Sequence, residues 1–429
     1  MKVVVSILGL GRWDKDERKY IYEETQYGWG DKNQVKTTLI QEAFAKWFPD
    51  AKFLLLATEK AQQERSDGIR NVLSGRDHQL VSIPDGKSAD EFWEIYNALT
   101  NKLEAGSEVI LDITHGFRSL GLLAFLAIVF LQASNRVKLL HVVYGAQEAK
   151  SADGITPIFD LTPFVTMLDW ASATNRFLET GDASKFRRLV GGEKTPSELR
   201  EGLEYLEELA LAVSANRAFL SGDLACKASR IDQGLENWGV ENEPLKLLVP
   251  KIKRGLYFLQ LRPTPIKDFL VDLFRQILWY YHHGYYEKAL GLAREWFITF
   301  VQYKCLEYGE IREDQIWPIN DAIRNRWDKA IGRIGKNLLQ NKNMLEQQVR
   351  PVFGKGFELS NEWKKLFEVW QILKDVRNDL LHFGFRSSPT EPDGVGKEVR
   401  NCLSELINAV NEMGLELPNL DSFLEDSDG

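Results

Sequence analysis

The feature that most constrains the fold is a series of short apolar segments that alternate with helical ones over the first 165 residues. Five of these segments are rich in Val, Ile and Leu, and they span residues 2–9, 52–58, 78–84, 107–113 and 136–146. Strands that are apolar throughout and separated by helices are typical of a parallel sheet covered on both faces. We therefore predict a doubly wound, Rossmann-like α/β domain over residues 1–165.

Helical spacing of apolar residues predicts helices between these strands, the first of them over residues 34–48. The run at 120–133 is the longest apolar stretch, but it is shorter than the about 20 residues that a membrane span needs. We expect it to be a helix buried in the core of a soluble domain. A last short strand is expected at 156–163. At 17–34, Tyr20, Tyr22 and Gln26 alternate with charged residues, and Gly28 and Gly30 mark turns. This pattern predicts a hairpin inserted at the carboxyl edge of the sheet.

The second part of the chain has a different pattern. Strand signals end near Phe164, and residues 166–429 carry helical periodicity with few helix-breaking residues. A chain of 429 residues is also too long for one ordinary hydrophobic core. We therefore predict a second, all-α domain over residues 166–429.

Composition argues against some functions. The net charge of −8 is unfavourable for an extended basic surface that binds nucleic acid non-specifically, although it is compatible with a local basic groove. The three cysteines, Cys226, Cys305 and Cys402, are far apart and form neither a metal-ligand spacing nor a disulfide framework. Because the N-terminus also lacks a signal-peptide cleavage site, we expect a cytoplasmic protein without a membrane partner.

A glycine loop follows the first predicted strand. Gly9, Leu10 and Gly11 form a G-x-G, but Asp14 stands where the dinucleotide fingerprint needs a third small residue. A nicotinamide site is therefore not expected. The glycines still allow backbone amides to approach a phosphate or a base.

The segment ILDITHGFRS, at 110–119, follows the fourth strand and precedes a helix. Ligands bind at this edge in doubly wound sheets, and a helix start offers free amides to an anion. Three side chains there can donate hydrogen bonds: Thr114, His115 and Arg118. Alternatively, Asp112 and Thr114 cap the strand while His115 packs on the sheet. The segment shows no evident nucleophile or metal ligand set, which favours binding over catalysis. Tyr144 and Gly145 follow the fifth strand in the same way.

A third motif lies near the end of a strongly helical segment. Asn378 and His382 are spaced i, i+4 and share a face, and Arg377 lies about 100° away at its rim. Gly384 and Pro389 are expected to end the helix. Arg, Asn and His on one helix end suit metal-independent RNA cleavage, although a capped surface helix with a solvent-facing His explains the spacing as well.

The segment 280–297 lies between these motifs and contains two adjacent histidines. His282 and His283 diverge by about 100° on a helix, so they do not chelate a metal together well. Further along the same helix, Arg294 and Glu295 are hypothesised to face the Arg377 helix and to form a supporting pair there.

Together, these motifs resemble those of the type III CRISPR-associated CARF–HEPN ribonucleases. Residues 112–116 match the D-x-T-H-G motif of that family, and RNDLLH at 377–382 matches the HEPN signature R-x-x-x-x-H. The resemblance covers nearly the whole chain. It includes the glycine loop, the tyrosine-bearing hairpin, YGA at 144–146 and DLTPF at 160–164.

The resemblance implies a CARF sensor domain followed by a helical HEPN ribonuclease domain. Members of the family bind cyclic oligoadenylate, most often cyclic tetra-adenylate, across the two-fold axis of a homodimer. The ligand then activates cleavage of single-stranded RNA without a metal or other cofactor, leaving 2′,3′-cyclic phosphate ends. Further assembly of dimers is left open. The implied catalytic residues, from both protomers, are Arg377, Asn378 and His382. The implied ligand-binding residues are Gly9, Leu10, Gly11, Thr114, His115, Gly116, Phe117, Arg118, Tyr144 and Gly145.

Two alternatives stay open. A ligand-responsive transcription regulator would need a basic recognition helix, which the acidic chain and the RNDLLH motif do not favour. An enzyme that degrades the cyclic messenger in the sensor pocket would depend on Thr114 and His115 instead of His382.

Overall fold

The predicted strands lie in one sheet in the first of two units into which the chain divides, Met1–Leu168 and Asp169–Gly429. The computed structural model describes residues 1–189, 197–233, 243–262, 265–308, 312–316, 321–337, 350–354, 356–382 and 390–421. The strands of the first unit are β1 (Lys2–Leu8), β2 (Arg12–Asp14), β3 (Lys19–Ile21), β4 (Thr25–Gly28), β5 (Val35–Thr37), β6 (Lys52–Ala57), β7 (His78–Ser82), β8 (Ser107–Asp112), β9 (Val137–Gly145) and β10 (Ile155–Asp160).

The main sheet has the strand order β5-β4-β10-β9-β8-β1-β6-β7. Five of its eight strands, β7, β6, β1, β8 and β9, are parallel to one another, which confirms the Rossmann-like core. A wholly parallel sheet was the wrong expectation, because β10 runs antiparallel to β9 and β5 runs antiparallel to β4. The connection from β9 to β10 is too short for the crossover that a parallel pair requires.

Helices cover both faces of this sheet. They are α1 (Ile40–Trp47), α2 (Glu59–Val72), α3 (Ala89–Lys102) and α4 (Arg118–Ala133). Side chains of β1 alternate between the two layers: Val3, Val5 and Ile7 pack with α3 and α4, while Val4 and Leu8 pack with α1 and α2. Ser88 caps α3, because its side chain accepts a hydrogen bond from the Glu91 backbone N–H.

Two boundaries near the N-terminus differ from the sequence prediction. The helix expected over 34–48 begins only at Ile40, because Val35 and Thr37 are buried around an exposed Lys36 and form β5. That period of two is the pattern of a strand. The prediction of a single hairpin over 17–34 is also wrong. β3 pairs with β2 in a separate hairpin, whereas β4 joins the main sheet beside β10.

The apolar helix α4 is not buried all round. Leu122, Leu126 and Phe130 are 60%, 54% and 58% exposed. Their spacing of four residues places them in one stripe, opposite the buried Leu120 and Ala124. The sequence prediction of a fully buried helix is therefore wrong, because only one face of α4 meets the sheet.

In the described part of the second unit, all regular structure is helical, in agreement with the sequence prediction. The helices from the domain boundary onward are α5 (Thr162–Thr180), α6 (Ser197–Ser214), α7 (Ala218–Ala228), α8 (Glu243–Tyr257), α9 (Ile266–His282), α10 (Tyr286–Lys304), α11 (Glu313–Ile316), α12 (Asp321–Asn337), α13 (Arg350–Phe353), α14 (Asn361–Leu381) and α15 (Pro392–Glu412). The buried Trp296 of α10 donates its indole N–H to the carbonyl of Leu270 in α9, at 2.7 Å. Among the described residues, no helix combines the length and apolarity that a membrane crossing requires.

Two glycines of this unit provide a test of the packing. Gly181 (φ +67°) and Gly284 (φ +72°) both have left-handed backbone, but only at Gly181 would an added methyl overlap the Trp279 ring. Both Gly→Ala changes should cost about 1–2 kcal/mol through backbone strain. Gly181→Ala should cost about 1–3 kcal/mol more, because it also overpacks the core. Chemical denaturation of the two variants measures the difference, and equal losses would contradict this packing.

Candidate functional site

The glycine loop and the ILDITHGFRS segment meet at the carboxyl edge of the sheet. Their strands, β1 and β8, are parallel neighbours, and the chain turns to opposite sides of the sheet from them, as at a nucleotide-binding switch point. The loops are in direct contact, since a Cβ on Gly9 would lie 3.0 Å from the Gly116 nitrogen. Gly116 has a φ of +95°, and a Cβ there would lie 2.6 Å from the Ile7 Cγ2. The close approach of the two loops therefore requires glycine at position 116.

Asp112 organises this edge from inside the sheet. Its carboxylate is fully buried and accepts hydrogen bonds from the Ser6 hydroxyl (2.5 Å) and the Thr114 backbone N–H (2.9 Å). Gln41 in turn donates to the Ser6 hydroxyl, at 2.8 Å. Burial raises the pKa of Asp112, while these hydrogen bonds favour its ionised form. Its contacts are therefore those of a residue that shapes the loop, as the strand-cap alternative describes.

His115 lies half-buried beside this network. Its ring is 5.3 Å from that of Tyr22, and its Nε2 is buried without a hydrogen-bond partner among the described residues. Burial lowers the pKa of His115, although the charge of Asp112 opposes this shift. The imidazole is therefore a neutral group that packs against the loops.

Thr114 connects the second loop to the next strand. Its hydroxyl accepts a hydrogen bond from the Gly145 backbone N–H, at 2.8 Å, so the ends of β8 and β9 are joined. Phe117 and Arg118 are exposed where α4 begins, and no side chain caps that helix start. The nearby Tyr144 donates its hydroxyl to Glu148, at 2.8 Å. The edge thus combines free helix amides with an exposed guanidinium, which suits an anionic ligand.

Two further residues, Tyr22 and Arg65, belong to this edge and were not predicted as site residues from the sequence. Tyr22 donates its hydroxyl to the Gly9 carbonyl, and burial raises its pKa to about 12. Arg65 lies over the Tyr22 ring, 3.8 Å from its centroid, and donates to the Leu10 carbonyl. Both therefore support the glycine loop. Tyr22 lies in the segment that the sequence singled out, whereas no local motif marks Arg65 in α2.

The third motif lies at the end of α14. Asn378 is half-buried, and His382 is exposed directly after the last helical residue. The His382 backbone N–H donates to the Asn378 carbonyl, at 3.1 Å, so helical geometry extends to the histidine. The helix-ending Gly384 and Pro389 lie outside the described residues. In the described part of the chain, no three His, Cys, Asp or Glu side chains come together as a metal site.

Arg377 lines a pocket of about 260 Å³, to which α7, α9, α10 and α14 contribute, and the lining residues do not include Asn378 or His382. Its side chain has no hydrogen-bond partner among the described residues, and its Nε is buried. Arg294 and Glu295 of α10 form a pair that reaches α14, as the sequence predicted, while their supporting role stays a hypothesis. Arg294 donates to Glu295, at 2.7 Å, and its guanidinium lies 5.7 Å from the Trp370 ring of α14. Among the residues that the structure describes, Arg377 is thus a cation without a hydrogen-bond partner, beside a pocket and a charged cluster.

Comparison with known proteins identifies the first unit. Residues 3–148 match the family model of the CARF domain of the CRISPR system endoribonuclease Csx1. That range contains the whole carboxyl edge described above. The first unit is therefore a CARF domain with a Rossmann-like mixed sheet, and a mostly helical region follows it.

Two further comparisons give proteins similar to this chain. The CRISPR-associated protein MJ1674 of Methanocaldococcus jannaschii is 28% identical over 149 residues, which are 34% of this chain and 22% of that protein. The chain thus matches about a fifth of that relative's length. A structure of Enterococcus italicus Csm6 bound to cyclic hexa-2′-fluoro-hexa-dAMP is 14% identical, with a TM-score of 0.46 over 100% of this chain and 98% of that one. At this TM-score the similarity has no bearing on function.

The buried imidazole gives the CARF domain a defined pH dependence. Because the pKa of His115 is lower in the folded state than its value of about 6.5 in unfolded chains, the unfolded state binds more protons below that pH. The stability of the first unit should therefore fall as the pH falls through about 6.5. Hydrogen exchange of β1 and β8 amides at pH 8 and pH 5.5 measures this loss for the unit alone.

In this experiment, His115→Gln should lose less protection on acidification than the wild type. His78→Gln, on the edge strand β7, serves as the matched control and should behave like the wild type. A loss of the same size in His115→Gln and the wild type would show that His115 does not cause it.

Proposed function

We propose that the chain is a single-stranded RNA endoribonuclease that a cyclic oligoadenylate switches on. The observation that carries the proposal is the unpaired Arg377 guanidinium, on the same helix end as the exposed His382, in a chain whose first unit is a CARF domain. A cation available for a phosphate and an imidazole available for proton transfer are the two groups that metal-independent RNA cleavage needs.

The proposed ligand site is the carboxyl edge of the CARF sheet. Backbone amides of the glycine loop and of the α4 start would contact phosphates, and Arg118 would add a charge-assisted hydrogen bond. The proposed messenger is cyclic tetra-adenylate. The contacts of Asp112 and Thr114 favour binding over messenger cleavage, because the described structure commits both side chains to holding the loops.

In the proposed reaction, the ribose 2′-oxygen bonds to the adjacent phosphorus as its proton passes to a base. The bond from phosphorus to the 5′-oxygen breaks, and that oxygen receives a proton. His382 would transfer these protons, Arg377 would bind the dianionic phosphorane, and Asn378 would orient the phosphate. The products are a 2′,3′-cyclic phosphate and a 5′-hydroxyl end.

A composite site from two protomers would bring these groups together. Arg377 and His382 are five residues apart, so they point about 140° apart around one helix. A second copy of α14 would supply His382 from one chain opposite Arg377 of the other. The exposed stripe on α4 supports a homodimer of the CARF domains, because a C2 interface can pair one apolar patch with its own copy.

His382→Ala and Arg377→Ala should each lower RNA cleavage by about 100-fold or more, because the proton carrier or the phosphate-binding cation is lost. Cleavage of a labelled single-stranded RNA is measured with cyclic tetra-adenylate and EDTA present. Lys374→Ala, on the same helix, serves as a charge-matched control and should keep wild-type activity. Wild-type rates in His382→Ala, or no cleavage in EDTA, would refute the proposed chemistry.

Leu126→Lys should shift the protein from dimer to monomer, because a charge in the middle of the apolar stripe would be buried without a partner. Leu247→Lys, at a position 76% exposed on α8 in the second unit, is the control and should stay dimeric. Sedimentation velocity measures both. A dimer of unchanged stability in Leu126→Lys would show that α4 is not the interface.

A further inference from the structure

Two carboxylates that act electrostatically on Arg377, Glu295 and Asp328, are both occupied by other arginines. One guanidinium nitrogen of Arg294, on α10, donates hydrogen bonds to both oxygens of Asp328, at 2.7 Å each. A second nitrogen donates to Glu295, at 2.7 Å. Arg324 of α12 donates its Nε to the other oxygen of Glu295, at 2.7 Å. Two guanidinium groups thus hold two carboxylates, and Arg377 is left as a third cation.

An aromatic contact joins this network of α10 and α12 to the helix α14. Arg294 lies over Trp370, which precedes Arg377 by seven residues, or about two helical turns along the same face. Arg294, Arg324 and Asp328 are all largely buried, with side-chain exposures between 21% and 26%. Ion pairs in such surroundings are screened less than exposed ones, so an unmatched charge there would seek a partner.

Arg377 is the nearby cation that a released carboxylate would meet. It interacts electrostatically with Glu295 and Asp328, and it has no hydrogen-bond partner of its own among the described residues. Burial and the positive charge of Arg294 lower the pKa of Arg377. A bidentate pair with a carboxylate would neutralise its guanidinium and occupy the nitrogens that would otherwise bind a phosphate.

We propose that Arg294 and Arg324 are positioning residues, which hold Asp328 and Glu295 so that the Arg377 guanidinium stays open to an anion. Identifying that anion as the phosphate of the RNA substrate rests on the proposed function. Neither arginine needs to touch the RNA. Their effect on cleavage would instead come from the carboxylates that they keep occupied.

The test is a rescue experiment. Arg294→Gln releases Asp328, which should pair with Arg377 and lower RNA cleavage by roughly tenfold or more. Arg294→Gln combined with Asp328→Asn removes the released charge and should restore most of the lost activity. Asp328→Asn alone should stay close to wild type, as should Arg333→Gln, which removes an exposed charge from α12. A loss in Arg294→Gln that Asp328→Asn does not restore would overturn the proposal.

A second measurement reports the state of Arg377 without any catalysis. Phenylglyoxal reacts with unpaired guanidinium groups, and peptide mass spectrometry quantifies its addition to Arg377. Labelling should be several-fold slower in Arg294→Gln than in the wild type, and it should recover in the double variant. Equal labelling in all three proteins overturns the proposal. Where labelling follows this order but the wild type does not cut RNA, the proposed function fails and the positioning role stands.

Arg324→Gln and Arg324→Gln with Glu295→Gln repeat the comparison on the other carboxylate. Circular dichroism shows whether Arg294→Gln folds. If it does not, the two Arg324 variants still test the proposal. The same order of labelling is expected, with a smaller loss in the single variant because Arg294 still holds Glu295. Labelling that is unchanged in both Arg324 variants would show that Arg324 has no positioning role.

Discussion

The CARF domain depends on one buried carboxylate in the middle of its sheet. A carboxyl group without solvent is costly unless hydrogen bonds satisfy it, and Asp112 has them from Ser6 and from the Thr114 backbone. Ser6 lies on β1 and Asp112 on β8, so their hydrogen bond joins the two strands whose ends carry the loops. Gln41 extends the network to α1. The geometry of the candidate ligand edge thus follows from satisfying one carboxyl group.

The helical unit has the opposite arrangement at its own candidate site. Around Arg377, the neighbouring charges satisfy one another, and the central cation is left without a partner among the described residues. A buried group whose hydrogen bonds are all satisfied fixes the local structure. A group with unsatisfied hydrogen bonds is available to bind a ligand. The first unit therefore uses a buried acidic group to fix its structure, whereas the second keeps one guanidinium open to a ligand among the described residues.

The sequence predicted elements whose pattern is local. β1 and β8 are mostly apolar runs, and the sequence placed both in a doubly wound sheet with their loops at its ligand edge. β5 was missed because Val35 and Thr37 also fit the helical spacing of the residues after them, and only pairing with β4 decides the matter. Arg65 and Arg324 could not be found in this way. Each lies on a polar helix, and its role comes from a partner at least 29 residues away in the chain.

The bonded framework under the ligand edge also determines how a ligand could be selected. Loops held by Asp112, Tyr22 and Arg65 before binding lose little conformational entropy when a ligand arrives. Such a surface cannot remodel itself around a ligand of different dimensions. Discrimination between related rings would then arise from misfit of the wrong ring and its faster release, with little contribution from the rate of encounter.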